Sequence, residues 1–327
     1  MRNWQRFALG GLAGAAIAAV LTAFVSASRP EAAAEPVPEP EPEPKKHPLD
    51  GKKILVVGNS YAFYGKMVVN QPSVEFSARK NDRGMLKTLC AKNGAQVSVT
   101  NWTFGAHQFF DLFGDSCTVT GRACTGSDHK PALTDRCYDY VVLSACGREF
   151  RYDWVPQIQQ IMDFFRAENP DVRFVFLVNP AQYGYNPYTA EVRTDVLEKM
   201  DTLRDMGIRV ADWGRIVCDI IDGTAVVPGS TFSYDKNSFI VNQSDKDGYH
   251  PNLLAGYITT LVTYCAMTGE KAVDQPDDFV KAFDPEGFRQ KYYANNLYQT
   301  NFVEILNSET EMDALRQLVD SYLDTEK

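Results

Sequence analysis

The chain has 327 residues, of which 44% are hydrophobic and 23% are charged, and its formal net charge is -9. These values are ordinary for a globular protein that buries a core, so they exclude a chain that is disordered throughout, a collagen and a polytopic membrane protein. The 33 basic residues against 42 acidic ones also argue against a nucleic-acid partner, because binding a phosphate backbone requires a concentrated basic face.

Residues 1–28 have the pattern of an export signal or a membrane anchor. Arg2 and Arg6 precede an uncharged run over residues 7–27, which as a helix would reach about 31 Å. The small residues Val25-Ser26-Ala27 suit a signal peptidase, whereas the length of the run favours an uncleaved anchor, so both interpretations stay open. No Cys ends the run, which argues against a lipoprotein. In either case we expect the rest of the chain to be exported, with membrane contact through this segment only.

Residues 29–49 form a linker in which Pro and Glu alternate. Such a stretch cannot build a core, and it favours an extended polyproline II conformation that separates a domain from the bilayer. The composition then changes, so we expect a folded domain over residues 50–270 and a helical extension over residues 271–327 that packs on it.

Short apolar runs in the predicted domain alternate with segments of helical periodicity. This alternation predicts a flavodoxin-like three-layer α/β sandwich with a central, mostly parallel five-stranded sheet, and a Rossmann-like strand order is the alternative. We expect strands over 53–57, 95–102, 138–145, 172–178 and 208–212, and helices over 84–92, 156–167, 190–206, from about 251 to 267, and over 277–283, 285–299 and 309–323.

The strand exits contain the candidate functional residues, because ligands of such sheets bind at the carboxyl ends of the strands. The first strand ends at Gly58-Asn59-Ser60, without the glycines of a dinucleotide-binding loop or the lysine of a P-loop. Asp247 and His250 lie three residues apart, just before Pro251. In this arrangement the carboxylate could orient the imidazole, and the imidazole could deprotonate Ser60.

At these positions the chain resembles the SGNH or GDSL-like hydrolases. Gly58-Asn59-Ser60 matches their first block, with Asn in place of the more usual Asp, as in one bacterial subgroup. Gly105 matches the glycine of the second block, and Asp247-x-x-His250-Pro251 matches the last block in order and spacing. The resemblance covers roughly residues 50–270. It implies Ser60 as nucleophile, His250 as general base, Asp247 as the acid that orients it, and the amides of Ser60 and Gly105 as oxyanion donors, without a metal or an organic cofactor.

The third block of the family departs from the pattern in this chain. It normally contains Gly-x-Asn-Asp after the third strand, whereas residues 143–149 read Leu-Ser-Ala-Cys-Gly-Arg-Glu. The asparagine that would donate a third hydrogen bond to the oxyanion is therefore missing. We expect Arg148 or a backbone amide near Gly147 to face the space between Ser60 and Gly105 instead.

Each of these residues also has a simpler structural interpretation. Ser60 could cap a helix after the tight turn, and Asp247 could cap the helix that starts near Pro251. Gly105 could be no more than a turn residue, and Tyr249 is expected to pack or to line the rim. Capping and catalysis are compatible roles for Asp247.

The other histidines and the seven cysteines suggest no second active site. His47 lies in the linker, and the pair His107 and Asp111 has one-turn helical spacing but is too small for a metal site, so a surface or rim position is expected for His107. We expect buried free thiols at Cys90, Cys146, Cys218 and Cys265. Cys117, Cys124 and Cys137 favour one disulfide of unassigned partners, and with His129 they form a Cys₃His set whose spacing fits no zinc motif well.

Together these features predict an exported serine esterase that hydrolyses an O-acyl ester, such as an O-acetyl ester, on a small molecule or a surface glycan. Two alternatives stay open. The same fold could be a non-catalytic glycan-binding module at the cell surface, or it could transfer the acyl group to a sugar hydroxyl as an O-acyltransferase.

Overall fold

A computed structural model describes residues 46–69, 79–80, 83–113, 136–145, 154–183, 190–241, 250–293 and 300–323. Residues 1–45 and the sequence-predicted site residues Asp247, Gly147 and Arg148 lie outside these ranges. Within the described ranges, no helix combines the length and the apolar character needed to cross a membrane.

A six-stranded sheet forms the centre of the domain. Its strands lie in the order β2-β3-β1-β4-β5-β6, and all neighbours are parallel except β2, which pairs antiparallel with β3 at one edge. Numbered among themselves, the five parallel strands follow the flavodoxin-like order 2-1-3-4-5, so the predicted fold class is confirmed and the Rossmann-like order is excluded. The strands are β1 Lys53–Gly58, β2 Arg79–Lys80, β3 Ser98–Thr103, β4 Tyr140–Ser144, β5 Arg173–Val178 and β6 Arg209–Asp212.

Helices cover both faces of the sheet, as the continuous apolar strands require. Ile54 and Val56 of β1 point into one core, whereas Leu55 and Val57 point into the other, because alternate side chains of a strand face opposite sides. Along the chain the helices are α1 Ser60–Tyr64, α2 Met85–Lys92, α3 Trp154–Arg166, α4 Ala190–Asp205, α5 Trp213–Ile221, α6 Lys236–Phe239, α7 Leu253–Thr268, α8 Pro285–Tyr293, α9 Phe302–Leu306 and α10 Glu309–Leu323. The buried sides of α3 and α4 lie on one face of the sheet, and those of α2, α5 and α7 lie on the other.

Helix α7 is buried along almost its whole length and passes directly over the end of α1. A Cβ at Gly256 would lie 1.7 Å from the carbonyl oxygen of Gly65, so only glycine allows this crossing. The helix begins at Leu253, and its cap is Asn252, whose side chain accepts hydrogen bonds from Leu254 N at 2.9 Å and Ala255 N at 3.1 Å. The helix predicted from about 251 to 267 is therefore confirmed to within two residues, but its cap is Asn252 and not Asp247.

The residues after α7 share a hydrophobic core with α2 and α7. Phe279, Phe302 and Leu315 are fully buried in it. The segment Asp278–Phe283 is a 3₁₀ helix, the described part of the helix predicted over 285–299 ends at Tyr293, and α9 was not predicted. At the N-terminal end of the described chain, His47 Nε2 lies 2.8 Å from Tyr264 Oη and Leu49 is buried. The chain therefore contacts the domain from His47 onward.

Glu311 of α10 connects this extension to the loop before α6. Its carboxylate accepts hydrogen bonds from Ser230 Oγ at 2.5 Å, Thr231 N at 2.8 Å and Tyr234 Oη at 2.9 Å. Burial raises the pKa of Glu311, but the hydrogen bonds from Ser230 and Thr231 outweigh it and hold that pKa below the ordinary value of a glutamate. The loop is thus held by an ionised, buried carboxylate.

Three of the predicted buried thiols are found as predicted. Cys90, Cys218 and Cys265 are buried and free, and burial raises the pKa of Cys90 to about 12. Cys137 is exposed and free. The disulfide and zinc hypotheses otherwise rest on Cys117, Cys124 and His129, which, like Cys146, lie outside the described residues.

Candidate active site

The turn between β1 and α1 presents Ser60 at the carboxyl edge of the sheet. At Gly58 the neighbouring strand β4 passes so closely that an added Cβ would lie 2.5 Å from Ser144 Cβ. Asn59 is the N-cap of α1, and Ser60 is the first residue of the helix. The simpler interpretation of Ser60 as the helix cap is therefore wrong, because its neighbour fills that role.

Asn59 links three chain segments beneath the turn. Its side chain is fully buried, and its Nδ2 donates to the carbonyl oxygens of Ser144 at 3.0 Å and His107 at 3.2 Å. Its Oδ1 accepts a hydrogen bond from Tyr61 N at 3.1 Å. The exits of β3 and β4 are thereby fixed relative to Ser60 by one amide.

His250 contacts Ser60 although 190 positions separate them in the sequence. Its Nε2 lies 2.9 Å from Ser60 Oγ, a normal hydrogen-bond distance. His250 lies in a short strand, β8 His250–Pro251, which pairs antiparallel with β7 Ile240–Val241. This two-stranded sheet, which holds the imidazole over the end of α1, was not foreseen from the sequence.

An aromatic side chain of α1 supports the imidazole. The Tyr64 ring stacks on the His250 ring with a centroid separation of 4.1 Å and an interplanar angle of 17°. Tyr64 follows Ser60 by four residues, and residues at that spacing share one face of a helix. That spacing is the signal by which Tyr64 could have been found.

Gly105 lies in the loop that follows β3, at the same edge of the sheet as Ser60. Phe104 N donates to the carbonyl oxygen of Gly58 at 3.0 Å, which attaches the start of this loop to the end of β1. Gly105 itself is exposed, and Ala106 has a φ of 61°, in the left-handed region that bends the chain sharply. The second block of the motif is thus brought next to the first.

His107 is not at the surface or the rim, contrary to the prediction. It is 1% exposed and packs against the rings of Trp102 and Phe104. Burial lowers the pKa of its imidazole. Asp111 Oδ2 accepts a hydrogen bond from Gln108 N at 3.0 Å, which shows a structural role for this carboxylate. In the described part of the chain, no group of three His, Cys, Asp or Glu side chains could hold a metal ion.

The exits of β4 and β5 are held by a second buried amide, which sequence reasoning missed. Asn179 Nδ2 donates to the carbonyl oxygen of Ala145, and its Oδ1 accepts a hydrogen bond from Trp213 Nε1 at 2.8 Å. Asp212 caps α5 through Arg215 N at 2.9 Å, and burial raises its pKa to about 6. Asn179 thus connects the exits of β4 and β5 to the start of α5. Asp247, Arg148 and the amide near Gly147, predicted to complete the site, lie outside the described residues.

No protein-family model matches the chain, and no curated protein matches its sequence. Solved structures are similar at low identity. One is a variant of an acetyl xylan esterase from Geobacillus stearothermophilus (11% identity, 67% of this chain and 95% of the other, TM-score 0.43). Another is LAE5, an alpha/beta hydrolase from the Lake Arreo metagenome (15%, 67% and 96%, 0.41). A third is a G-D-S-L family lipolytic protein from Desulfitobacterium hafniense (12%, 64% and 99%, 0.36). By its own strand order, the chain has the three-layer α/β fold that the resemblance to SGNH or GDSL-like hydrolases implies.

Proposed function

We propose that this protein is an exported serine hydrolase that cleaves an O-acyl ester. The observation that supports this proposal most strongly is the 2.9 Å contact between Ser60 Oγ and His250 Nε2 at the carboxyl edge of the sheet. A serine that only stabilised the turn would hydrogen-bond to the backbone of its own helix. Here the capping role belongs to Asn59, so the Ser60 hydroxyl is available to the imidazole.

The chemistry follows from this pair. His250 Nε2 takes the proton of Ser60 as Oγ forms a bond to the ester carbonyl carbon, and the carbonyl oxygen becomes an oxyanion. Collapse of this intermediate breaks the bond to the alcohol, which receives the proton from His250 and leaves an acyl-Ser60. Water then attacks the acyl carbon while His250 takes its proton. The bond to Ser60 Oγ breaks, His250 returns the proton to Oγ, and the carboxylic acid is released.

Two further groups complete the proposed machinery. The amides of Ser60 and Gly105 would donate to the oxyanion, and removing one such donor typically costs about 3 kcal/mol of transition-state stabilisation. Asp247 would hold the imidazole in the correct tautomer, and Arg148 or a backbone amide near Gly147 would replace the missing asparagine. No metal or organic cofactor takes part in these steps.

The proposed substrate follows from the N-terminal pattern. A chain with an export signal or anchor and a Pro/Glu-rich spacer presents its domain outside the membrane, where acylated surface glycans occur. We therefore propose an O-acyl group, such as O-acetyl, on an extracellular glycan, with membrane contact through the N-terminal segment only.

The first test measures hydrolysis of 4-nitrophenyl acetate by the full-length chain and its labelling by a fluorophosphonate probe. Ser60→Ala should abolish labelling, and Ser60→Ala and His250→Ala should each lower kcat/KM by at least about 10³-fold. Asp247→Asn should cost less than His250→Ala, because that side chain orients the base without transferring a proton. Ser98→Ala, which removes an exposed hydroxyl at the start of β3, should change neither readout.

Two outcomes would contradict the proposal. A folded Ser60→Ala variant that keeps its esterase activity would show that another residue is the nucleophile. Complete inactivity of the wild type toward every ester, together with tight glycan binding, would indicate a binding module. Acetate release measured with and without a sugar acceptor separates hydrolysis from acyl transfer.

A further inference from the structure

Two lysines are close in sequence to a pair of tyrosines, Tyr64, which stacks on His250, and Tyr292, which contacts Tyr64. Lys66 follows the end of α1, two residues after Tyr64, whose ring stacks on the imidazole. The ring of Tyr292 in α8 lies 6.3 Å from that of Tyr64, and Lys291 Nζ lies 5.2 Å from the Tyr292 centroid. One lysine follows the helix that contains Ser60 and the other lies in α8 of the C-terminal extension, and the contact between Tyr64 and Tyr292 joins these two segments.

Neither ammonium group has a carboxylate partner among the described residues. Lys52, Lys92 and Lys199 each lie within ion-pair distance of an aspartate, whereas the ion pairs of the described chain include neither Lys66 nor Lys291. Lys66 is half-buried, and its own burial together with the charge of Lys291 lowers the pKa of its ammonium group. Two ammonium groups that repel each other, with no carboxylate partner among the described residues, favour the binding of an anion.

The backbone of Lys66 adds an independent observation. Its φ is 63°, a left-handed conformation that glycine adopts without strain and a lysine does not. The conformation is held by hydrogen bonds from Lys66 N to Phe63 O at 3.1 Å and from Met85 N to Lys66 O at 2.8 Å. A side chain that the fold keeps at such a position, next to a reactive pair, points to a function for that side chain.

We propose that Lys66 and Lys291 form an anion subsite beside Ser60 and His250, which selects esters of molecules that bear a carboxylate or phosphate group. This proposal rests on the proposed function and specifies its substrate class as an acidic, acylated glycan or polyol. The chain as a whole has a net charge of -9, so a local basic pair would draw an anion to this edge rather than to other parts of the surface.

The test compares three substrates with the full-length chain at low ionic strength: O-acetylated galacto-oligosaccharide (neutral), O-acetylated oligogalacturonate (carboxylate) and O-acetylated glycerol phosphate oligomer (phosphate). The wild type should prefer at least one anionic ester by about tenfold in kcat/KM. Lys66→Gln and Lys291→Gln should each remove most of that preference and leave the neutral ester within about twofold. Added salt should weaken the preference, since it screens the charges.

Two further variants separate a binding role from a structural one. Lys271→Gln removes the same charge near Gly207 and Arg209, at the opposite end of the sheet, and should change nothing. Lys66→Gly should raise the unfolding temperature, because it relieves both the strained φ and the half-buried charge, and should still lose the anionic preference.

The outcomes distinguish this proposal from the proposed function. Equal or better hydrolysis of the neutral ester, with no effect of the lysine variants, would overturn the anion subsite while leaving the esterase intact. If no ester is cleaved, binding of the two deacetylated anionic oligomers is measured by calorimetry. Saturable binding that is abolished in the double variant Lys66→Gln/Lys291→Gln supports the subsite. Absence of binding refutes it. Preference for one of the two anionic esters identifies the anion.

Discussion

Replacing Asn59 by aspartate tests whether the buried amide beneath Ser60 is required as a hydrogen-bond donor. The substitution restores the residue more usual in the first block of the SGNH or GDSL-like family and hardly changes the volume of the side chain. In this chain, however, Nδ2 faces the carbonyl oxygens of Ser144 and His107. A carboxylate would place a charged acceptor against two acceptors at a site with no solvent exposure.

The expected cost follows from these contacts. Each lost donor leaves a buried carbonyl unsatisfied, at about 1–3 kcal/mol, so with two carbonyls the free energy of unfolding should fall by about 2–6 kcal/mol at pH 8. The bond that Oδ1 accepts from Tyr61 N can remain. Protonation would restore one donor, so the folded protein should raise the pKa of the introduced carboxyl group above its unfolded value of about 4. Because the folded variant then binds a proton more tightly than the unfolded one, its stability should recover as the pH falls and be lost as the pH rises.

Urea unfolding at pH 5.5 and pH 8 measures both effects. Asn59→Ala should be destabilised by a similar amount at both pH values, because it has no proton to gain. Asn237→Asp makes the same charge change at a half-buried position outside the site and should stay close to the wild type. An Asn59→Asp variant as stable as the wild type at pH 8, or one without pH dependence, would refute the assignment of Nδ2 as the donor.

Two further predictions concern the supports of the site. Glu311 has a lowered pKa, so its contribution to stability is present above the ordinary carboxyl pKa and is lost as the pH falls through the lowered value. Glu311→Gln should therefore lower the free energy of unfolding by about 1–3 kcal/mol at pH 7 and reduce the loss of stability as the pH falls. Glu309→Gln, at an exposed position, should have neither effect. A Glu311→Gln variant that loses as much stability in acid as the wild type would contradict this assignment. Gly256→Ala would bring a Cβ within 1.7 Å of the Gly65 carbonyl oxygen, so it should lower the unfolding temperature sharply and impair the proposed esterase activity. Ala266→Ser, which adds one atom on the same helix, should do neither. A wild-type melting curve for Gly256→Ala would show that the crossing of α1 and α7 can relax.

The central sheet was predictable because its strands are buried on both faces. Runs such as Lys53–Gly58 and Arg173–Val178 are apolar at every position after the first residue, a pattern that suits only interior parallel strands. The predicted strands all occur, with ends that shift by up to three residues. The contact of Ser60 and His250 was likewise expected, from the resemblance and from the rule that strand exits meet at one edge.

Two of the errors have a common cause, which is that several neighbouring side chains could each cap the same helix. Asn252 caps α7 in preference to Asp247, and Asn59 caps α1 in preference to Ser60. Asn, Asp and Ser are all good caps, so the sequence identifies the turn without selecting the residue. The burial of His107 could not be predicted, because it depends on the packing of its ring against Trp102 and Phe104 in the folded chain.

The position of Ser60 depends on amide side chains whose contacts could not be deduced from the sequence. Ser60 follows Asn59 in a turn, and the buried Asn59 amide donates hydrogen bonds to the carbonyl oxygens of Ser144 and His107. Asn179 holds the next strand exit in the same way through Ala145 O. An amide can donate to such carbonyls and accept from a backbone N–H at the same time, which an ionised carboxylate cannot do. The carbonyl oxygens of the surrounding loops therefore favour asparagine over aspartate at position 59, and the same side chain fixes the turn that presents Ser60.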